Sequence, residues 1–466
     1  MEWFKSRSYA VLQNDLRHLY TALLYILTPF VLLRLCWRGL RAPAYWQRWC
    51  ERFGCYQDLD LHGAIWIHAV SVGEVVAAEP LVRGLRLVHP HAPLLITTMT
   101  PTGSEQVQRL FHGEVRHVYA PYDLPVAVRR FLERARPRLA LIMETELWPN
   151  LFHGCRTRGI PVIVANARLS ERSAAGYARF ARLTRATLRD VSVIAAQSAA
   201  DAERFRQLLG WSSMGSDSFE ITNQNISASG DQRSLTPLKT PLIQVTGSIK
   251  FDMRLPAGLR EQAEVLRRDL GVERPVWIAA STHEGEEERV LDAFAQVRAQ
   301  LTDALLLLVP RHPERFARVA ALCEKRGLSL VLRSSHLPCR PDSAVFLGDS
   351  MGELPLFYAA ADLAFIGGSL VPTGGHNPLE AAALGVPLLF GPHMFNFAEI
   401  SRLLLREKAA LQVRDATGLA DSVVLLLRDA EQCHALGENG RRVVEANRGA
   451  LERLMKIVSA SLGDTA

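Results

Sequence analysis

Short apolar segments typical of β-strands alternate with helical segments along almost the whole chain, and this alternation restricts the fold more than any other feature. The strand segments lie at residues 64–70, 93–98, 115–119, 139–143, 161–165 and 191–196 in the first half, and at 275–280, 304–309, 344–346, 363–366 and 387–390 in the second. A helix is predicted over residues 174–188, and a strand and turn over 242–252. Strands that alternate with helices predict parallel sheets covered on both faces, which is an α/β fold.

The length of the chain predicts more than one domain. A chain of 466 residues exceeds what one hydrophobic core accommodates, so two domains are predicted. We assign residues 1–42 to an N-terminal extension and membrane anchor, 43–240 to a first domain and 241–466 to a second. Residues 211–240 are rich in Ser, Gly, Asn and Thr and lack apolar periodicity. They therefore predict a flexible excursion from the first domain.

An apolar segment at residues 19–33 precedes a group of arginines and aromatic residues at 34–49. A full membrane span needs about 20 apolar residues, so this segment is short unless it extends to Trp37. No small-residue cleavage site follows, which disfavours a signal peptide, and the basic and aromatic sequel is typical of a membrane interface. We expect a retained anchor, with a buried core helix as the alternative. Whether the anchor spans the membrane or lies in one leaflet is open.

Charge and cysteine usage restrict the compartment and the partners. The net charge is +6, but the sequence contains no arginine-rich arm and no zinc-ligand pattern, so nucleic acid is not an expected partner. The excess positive charge is better explained by a membrane surface or an anionic ligand. The seven cysteines are scattered and odd in number, which indicates reduced thiols in the cytosol.

Acidic residues follow two of the predicted strands in the first half. Ligands of parallel sheets bind beyond the carboxyl ends of the strands. Glu74 comes directly after Gly73, and its carboxylate is a candidate general base for an attacking hydroxyl, although acidic residues also favour the first turn of any helix. Glu144 and Glu146 directly follow an apolar strand, where a charge needs a cleft or a partner. The residues alone do not decide which of these two is functional.

Two basic residues of the second half are candidate phosphate ligands. Lys250 lies in the turn where the second domain begins, and Arg311 lies at the end of a strand between two prolines. An ammonium group there can neutralise a phosphate, and a planar guanidinium can bind one through two hydrogen bonds.

Residues 374–380 (GGHNPLE) predict a glycine turn that leads into a helix. Asn377 is a suitable N-cap, and Pro378 suits the first helical position because its missing N–H would be unpaired there. The free N–H groups of a helix start favour an anion, and Glu380 is placed to accept hydrogen bonds from sugar hydroxyls. This combination indicates a nucleotide-sugar site.

Other nucleotide motifs are missing from the sequence. No G-x-G-x-x-G follows the first strand of either half, and no G-K-S/T phosphate loop occurs, which disfavours a nicotinamide enzyme or a P-loop nucleotidase. The D-x-D motif at Asp58–Asp60 precedes the first strand and is typical of a solvated turn. We therefore predict no metal–diphosphate site.

Eight motifs, in one order, resemble the 3-deoxy-D-manno-octulosonic acid (Kdo) transferases of lipopolysaccharide assembly. The resemblance covers nearly everything from residue 19 to the C-terminus. The segment before residue 19 and the 211–240 excursion are longer than the usual form of the family, but neither contains a motif. The motifs are HAVSVGE, METELWPN, NARLSERS, VTGSIKFD, STHEGEEE, VPRHPERF, GDSMGELPLFYAAADLAFIGGS and GGHNPLEAAALGVPLLFGP.

The resemblance implies a glycosyltransferase of the B type, with two Rossmann-like domains that face each other across a cleft. The implied reaction moves Kdo from CMP-Kdo to a hydroxyl of the lipid A precursor, lipid IVA, with inversion and without a metal or another cofactor. It also implies an enzyme anchored in the inner membrane of a Gram-negative bacterium, with its catalytic domains on the cytoplasmic face.

The resemblance also implies residue roles, carried over motif by motif. Glu74 corresponds to the proton acceptor, and Glu144 and Lys250 correspond to the transition-state stabilisers. The residues that correspond to the CMP-binding segments are Pro310, Arg311, Met351, Gly352, Glu353, Asn377, Pro378, Leu379 and Glu380. Two alternatives stay open: another B-type enzyme that uses a UDP-sugar, as a transferase or an epimerase, and a membrane-tethered binding protein with a degenerate site.

Overall fold

The computed structural model describes residues 2–41, 43–57, 59–211, 240–253 and 255–463. The chain divides into two compact units, and each is described here by itself. Unit 1 comprises Met1–Asp252 and Gly449–Ala466, and unit 2 comprises Met253–Arg448. Most of the predicted 211–240 excursion, residues 212–239, lies outside the described residues.

Unit 1 is built on one parallel sheet of seven strands. The strands are β1 (Ala64–His68), β2 (Leu94–Thr98), β3 (Arg116–Tyr119), β4 (Pro137–Met143), β5 (Val162–Ala167), β6 (Val193–Ala196) and β7 (Leu242–Val245). Their order in the sheet is β3-β2-β1-β4-β5-β6-β7. The chain therefore adds strands in one direction from β1 to β3 and in the other from β4 onward, with a switch point between β1 and β4.

Helices cover both faces of this sheet. They are α1 (Glu2–Arg41), α2 (Val72–Val88), α3 (Pro101–Phe111), α4 (Pro125–Ala135), α5 (Pro149–Arg156), α6 (Glu171–Ala178), α7 (Ala181–Leu188) and α8 (Ala199–Leu209). Because successive strand side chains point to opposite faces, Ile65 and Ile67 enter one buried core, while Ala64 and Trp66 enter the other. The all-apolar strands thus follow from burial on both faces.

Unit 2 repeats this architecture. Its strands are β8 (Val276–Thr282), β9 (Leu305–Pro310), β10 (Leu330–Leu332), β11 (Val345–Leu347), β12 (Leu363–Ile366), β13 (Leu388–Phe390) and β14 (Ala410–Gln412), in the order β10-β11-β9-β8-β12-β13-β14. Its helices are α9 (Leu259–Leu270), α10 (Glu287–Arg298), α11 (Phe316–Lys325), α12 (Leu354–Ala360), α13 (Leu379–Ala383), α14 (Ala398–Arg406), α15 (Ala416–Arg428) and α16 (Ala430–Asn447). The switch point of this sheet lies between β8 and β12.

The predicted α/β fold with two Rossmann-like domains is confirmed, but two details of the prediction differ from the structure. The helix predicted over 174–188 is two helices, α6 and α7, with a break at Arg179 and Phe180. The domain boundary lies at Asp252 rather than at residue 241, and the N-terminal segment 1–42 belongs to unit 1.

The last helix, α17 (Ala450–Leu462), also belongs to unit 1 and not to the second domain. Its apolar face, Ala450, Leu454 and Val458, is buried in the same core as Ile65 and Ile67. The carboxylate of Asp252 accepts hydrogen bonds from the N–H groups of Gly449 (2.6 Å) and Leu451 (2.7 Å), which holds the start of this helix. The sequence could not reveal that the chain returns to unit 1 at its C-terminal end, because the contacts join residues 197 and 199 positions apart.

Among the residues that the structure describes, one helix is long and apolar enough to cross a membrane. Within α1, the stretch Leu16–Leu40 has a mean hydropathy of 1.8, and 6% of its apolar window is buried. Helix α1 also contains Pro29. The apolar N-terminal helix that the sequence predicts is therefore present in the fold.

Substitution of Asp252 tests the attachment of α17. Asp252→Ala removes the acceptor of two backbone N–H groups, and hydrogen bonds to a charged group are each worth about 1.5–3 kcal/mol. We expect a loss of at least about 1 kcal/mol in the free energy of unfolding of unit 1, with faster hydrogen exchange of the α17 amides.

The matched control is Asp415→Ala, which removes the N-cap of α15 in unit 2, where Asp415 accepts the N–H of Gly418 (2.9 Å). Its effect on hydrogen exchange should be confined to α15. Unchanged exchange of α17 in the Asp252 variant would contradict the assignment of this helix to unit 1.

Candidate functional site

In both units the predicted site residues gather at the switch point of the sheet. Glu74 follows β1 and Glu144 follows β4, so these acids flank the switch point of unit 1. In unit 2, residues 367–380 follow β12, and Arg311 follows β9, the neighbour of β8. Crevices beyond the carboxyl ends of strands at such points are where open α/β sheets bind ligands. Each unit therefore carries one candidate site.

Glu74 is held in the first turn of α2 by its own carboxylate. The helix begins at Val72, and Ser71 is its N-cap. The Oε2 atom of Glu74 accepts the N–H of Val70 (2.8 Å), and Oε1 accepts the hydroxyl of Ser71 (2.9 Å). The Ser71 side chain in turn accepts the N–H of Glu74. This reciprocal capping fixes the carboxylate in one orientation.

The environment of Glu74 raises the pKa of its carboxyl to about 7. Burial is the largest cause, since the residue is only 9% exposed. The nearby carboxylates of Glu144 and Glu146 raise the pKa further, while the bonds from Val70 and Ser71 lower it. A pKa close to physiological pH is what a general base needs, because it then accepts a proton readily and is still largely ionised.

Glu144 forms an ion pair with Lys250 across unit 1. The Lys250 Nζ and Glu144 Oε1 atoms are 2.9 Å apart, and both side chains are about one quarter exposed. Glu144 has a φ of 56°, in the left-handed region that non-glycine residues rarely adopt. Its N–H donates to the carbonyl of Ala165 (2.9 Å), which fixes this turn to the neighbouring strand. Strained backbone of this kind is a frequent feature of functional sites.

Asn166, at the end of β5, positions the turn that carries Lys250. Its Oδ1 atom accepts the N–H of Ile249 (3.2 Å), and its backbone is also left-handed, with a φ of 52°. Asn166 is fully buried, and its Nδ2 atom has no hydrogen-bond partner among the described residues. The contact of Asn166 with residue 249 became visible only in the structure.

Glu146 is separated from this ion pair and is held by a neighbouring aromatic residue. The Nε1 atom of Trp148 donates to Glu146 Oε2 (3.0 Å), and the Trp148 ring meets His68 edge to face, with ring centres 5.5 Å apart. Burial raises the pKa of the Glu146 carboxyl. Thus Glu144 faces a cation and Glu146 faces an indole, a difference that the sequence could not show.

The glycine turn of the GGHNPLE motif is present in unit 2. Gly374 and Gly375 have φ angles of 104° and 72°, and a Cβ atom at Gly375 would lie 2.2 Å from the sulfur of Met394. Helix α13 starts at Leu379, with Pro378 as the flanking residue, one position later than predicted. Asn377 still caps it, since its Oδ1 atom accepts the N–H of Leu379 (3.1 Å).

Arg311 and Glu380 are brought close together in unit 2. Burial raises the pKa of the Glu380 carboxyl, while the side chain of Asn377 and the positive charge of Arg311 lower it. Within the part of the chain that the structure describes, the guanidinium of Arg311 makes no hydrogen bond or ion pair with a side chain. A guanidinium with no such partner at a strand end is suited to bind a phosphate.

Two histidines that the sequence did not connect stand beside Arg311. The Nε2 atoms of His283 and His376 are 2.7 Å apart, and their rings are stacked at an angle of 8°. Burial, together with His283 and Arg311, lowers the pKa of His376 to about 3. No sequence signal could have paired these residues, which lie 93 positions apart.

Glu286 is a buried carboxylate that organises the loops of this site. Its two oxygens accept the N–H groups of His283 (3.2 Å), Gly368 (2.6 Å), Ser369 (3.0 Å) and Leu370 (2.9 Å). It therefore joins the loop after β8 to the loop after β12. The STHEGEEE motif contains several acids, and only the structure identifies which one has this role.

The remaining predicted segment, Met351–Glu353, has a partner of its own. Glu353 forms a two-pronged ion pair with Arg333, with an Nη2–Oε1 distance of 2.7 Å, and the pair lowers the pKa of the Glu353 carboxyl. Gly352 has a φ of 87° with no atom within 4 Å of a Cβ placed there, and Met351 is 42% exposed. Glu353 is thus held by Arg333, while Met351 and Gly352 present an open surface. The role of all three residues in CMP binding stays a prediction.

Among the described residues, no group of three or more His, Cys, Asp or Glu side chains is placed to hold a metal ion. Asp58 of the D-x-D motif lies outside the described residues, and Asp60 lies 3.5 Å from Arg136. Metal independence of the reaction stays a prediction.

Comparison with known proteins identifies the family. Residues 47–216 match the family model for 3-deoxy-D-manno-octulosonic-acid transferase (kdotransferase), and residues 278–443 match glycosyl transferases group 1. The 3-deoxy-D-manno-octulosonic acid transferase of Haemophilus influenzae is 41% identical over 96% of this chain and 99% of its own length. The chain belongs to the Kdo transferases. It is a glycosyltransferase, and Kdo transfer in lipopolysaccharide assembly is the activity of this family.

A solved structure agrees with the fold of this Kdo transferase. The UDP-GlcNAc 2-epimerase from Neisseria meningitidis covers 84% of this chain with 100% of its own, at a TM-score of 0.52 and 15% identity, so the similarity concerns the fold alone. The C-terminal CMP-Kdo binding domain of WaaA from Acinetobacter baumannii is 37% identical, covers 41% of this chain with 99% of its own and has a TM-score of 0.39.

The raised pKa of Glu74 makes a prediction about stability. A carboxyl with a pKa of about 7 when folded and 4.5 in the unperturbed state stabilises the fold below pH 4.5 and loses that contribution as the pH rises through 7. The Glu74→Gln variant has no ionisable carboxyl at this position. Its stability relative to the wild type should therefore increase from pH 4.5 to above pH 7, by up to about 3 kcal/mol.

Urea denaturation of both proteins at pH 5 and pH 8 measures this difference. The control is Glu79→Gln, on the same helix but in an exposed ion pair with Arg83 (2.8 Å). Equal differences between wild type and Glu74→Gln at both pH values would show that Glu74 is not desolvated.

Proposed function

We propose that this Kdo transferase moves Kdo from CMP-Kdo to a hydroxyl of the lipid A precursor, lipid IVA, with Glu74 as the general base. The observation that carries the proposal is the carboxylate of Glu74, which combines a pKa of about 7 with a fixed orientation at the switch point of unit 1. The family supplies the reaction class. The residues that act in it remain our assignment.

The bond changes follow from a single displacement. The acceptor oxygen attacks the anomeric carbon of Kdo, the bond from that carbon to the phosphate oxygen breaks, and CMP leaves with the electron pair. Glu74 takes the proton of the attacking hydroxyl. Attack from the face opposite the leaving group inverts the anomeric centre. General-base assistance of this kind contributes about 10²–10⁴-fold to the rate.

Glu144 and Lys250 are proposed to stabilise charge as it moves in the transition state. Their ion pair, at 2.9 Å, already places a cation beside the acids of unit 1, and the left-handed turn of Glu144 and the contact from Asn166 hold both partners. Charges fixed before the reaction need no reorganisation when the donor bond breaks. The negative charge of Glu144 also helps to keep the pKa of Glu74 high.

Unit 2 is proposed to bind the CMP part of the donor. Arg311 supplies a guanidinium for the single phosphate, and Glu380 accepts hydrogen bonds from ribose hydroxyls. Pro310, the segment Met351–Glu353 and residues 377–379 complete the nucleotide contacts. One phosphate needs only one or two cations, and we propose that the reaction proceeds without a metal ion.

The acceptor is proposed to reach the enzyme from the membrane. Lipid IVA is an amphiphile, and the apolar stretch Leu16–Leu40 of α1 is suited to hold the protein at a lipid surface. We propose a location at the inner membrane of a Gram-negative bacterium, with both units on the cytoplasmic side, where the free cysteines of the chain stay reduced.

Loss of the base tests the central assignment. Glu74→Ala should reduce the rate of Kdo transfer to lipid IVA by about 10²–10⁴-fold, because the proton acceptor is removed, while the affinity for CMP is unchanged. Product formation is measured by mass spectrometry of the lipid. In the wild type, kcat/KM should rise with pH to a plateau with an apparent pKa near 7, since only ionised Glu74 accepts a proton.

The matched control is Glu79→Ala, which removes a partly exposed carboxylate from the same helix and should leave the rate unchanged. A Glu74→Ala variant that keeps more than about a tenth of wild-type activity would refute the role of Glu74.

Nucleotide specificity tests the donor site. CMP at 100 times its dissociation constant should stabilise the protein by about 2.7 kcal/mol, and UDP at the same concentration should not. Arg311→Met should weaken CMP binding by about tenfold or more, since a hydrogen bond to a charged group is worth about 1.5–3 kcal/mol.

Arg318→Met, which removes an exposed arginine of α11 that pairs with Glu284 (2.6 Å), is the control and should bind CMP like the wild type. Stabilisation by UDP but not by CMP would instead favour a UDP-sugar enzyme.

A further inference from the structure

Helix α1 presents two unlike faces along its described length. One face is partly or fully buried, and it carries Arg17, Tyr20, Thr21, Leu24, Thr28 and Leu35. The opposite side, which we call the outward face, carries Leu19, Leu23, Ile26, Phe30, Leu33 and Leu40, each more than half exposed. The spacing of three and four residues keeps each set on one side of the helix. The usual arrangement is inverted, because the apolar side faces away from the protein.

The start of the apolar stretch is bound to unit 1 by hydrogen bonds. The hydroxyl of Tyr20 donates to Oδ2 of Asp123 (3.0 Å), and the side chains of Thr21 and Asn150 exchange hydrogen bonds of 3.1 and 3.2 Å. Asp123 is buried and also accepts the N–H groups of Asn150 (3.0 Å) and Leu151 (2.7 Å) at the start of α5. Tyr20 and Thr21 therefore complete a polar network that belongs to the folded unit.

The end of the stretch is bound to the same unit. After α1, the chain folds back so that Nε1 of Trp46 donates to the carbonyl of Cys36 (3.2 Å). Two residues later, Arg48 donates to the carbonyl of His117 (3.0 Å) in β3 and pairs with Glu51 (2.7 Å). Helix α1 also contacts α5 and α7. Both ends of the apolar helix are thus attached to the same folded unit.

This double attachment is incompatible with a helix that crosses the bilayer. From Thr21 to Arg41 the helix rises by about 30 Å, which equals the hydrocarbon thickness of a membrane. A crossing helix would place Thr21 and Arg48 on opposite sides. Thr21 contacts Asn150 and Arg48 contacts β3, and both partners belong to the same sheet unit, which would then have to extend through the hydrocarbon.

We propose that α1 lies in the plane of the membrane and inserts its outward face into one leaflet, the cytoplasmic one. The occupant of this face is the acyl-chain region of an anionic phospholipid leaflet. Arg34 and Arg38 are exposed on α1, and Arg38 stands over the ring of Tyr45 at 5.6 Å, which places cations at headgroup level. Phe180, directly before α7, is 70% exposed beside this helix. The inference rests on the membrane location in the proposed function.

The arrangement has a consequence for the acceptor. Asn150, which forms hydrogen bonds with Thr21, lies in the METELWPN motif four residues after Glu146. Asp123 caps α5, the helix that begins within this motif. The helix embedded in the leaflet therefore holds the acid-bearing turn of unit 1 at a fixed height above the lipid. A spanning anchor on a flexible connection would leave that height undefined.

Depth-dependent quenching distinguishes the two orientations. A fluorophore is attached to cysteines introduced in turn at Leu19, Ile26, Leu33 and Leu40, seven residues apart on the outward face. The full chain, with Cys36, Cys50 and Cys55 changed to serine, is reconstituted in vesicles of phosphatidylethanolamine and phosphatidylglycerol. Lipids with quenchers at shallow or deep acyl positions report the depth of each site.

An in-plane helix gives all four sites the same shallow depth, about 5–10 Å below the headgroup boundary. A spanning helix gives shallow depths at positions 19 and 40 and the greatest depth at 26 and 33, which would overturn the proposal. The matched control is Thr28→Cys on the buried face, where both quenchers should have little effect. Strong deep quenching at position 28 would also overturn it.

The side of the membrane on which the residues before and after α1 lie is an independent test of its orientation. In sealed vesicles, a membrane-impermeant maleimide should label Ser8→Cys and Gln57→Cys from the same side if α1 lies in the plane, whereas labelling from opposite sides would refute this. Loss of Kdo transfer with four equally shallow probes would leave the inference intact and refute only the proposed activity. Failure of the protein to bind vesicles at all would refute the membrane location and the inference together.

Discussion

Burial of a carboxylate at the start of the helix after the first strand is the constraint on which both sites of this protein depend. In unit 1 the carboxylate is Glu74, and in unit 2 it is Glu286. Glu286 accepts hydrogen bonds from four backbone N–H groups, and these bonds hold two loops together. Glu74 accepts only one N–H and one hydroxyl, and burial, together with two other acids nearby, raises its pKa to about 7. Equivalent positions in two similar sheets thus have different surroundings, and the chemical role of Glu74 is our proposal.

The rest of unit 1 supports this desolvated acid. The Glu144–Lys250 ion pair keeps a negative charge near Glu74 and compensates it with a cation. Left-handed backbone occurs at Glu144 and Asn166, both at strand ends, and their side chains contact Lys250 and the N–H of Ile249. Such backbone is unfavourable by about 1–3 kcal/mol per residue, and it persists because buried strands on both sides hold it. Strained backbone and a carboxyl with a raised pKa therefore occur in the same region of unit 1, as is typical of functional sites.

The sequence could predict the site residues one by one but not their pairing. Glu74, Arg311 and Glu380 were identifiable because each follows a strand or opens a helix, and parallel strands bring their carboxyl ends to one edge. The choice between Glu144 and Glu146 depended on whether Lys250 or Trp148 lies opposite, and the pairing of His283 with His376 joins residues 93 positions apart. The break at Phe180 escaped detection because the helical periodicity continues through it. Helix α17 was misassigned because its attachment to Asp252 has no local signal.

The sequence by itself determined the fold class, the family and the set of candidate site residues, because these depend on local periodicity, turn chemistry and motif order. Only the tertiary structure decided which carboxylate is desolvated, which acids are neutralised by a partner, and where both ends of the apolar helix are attached. The physical reason is the same in each case. Desolvation and ion pairing depend on what lies opposite in space, and the orientation of α1 depends on where both of its ends are attached. Hydropathy counts apolar residues along the chain, but it carries no information about the surface on which they rest.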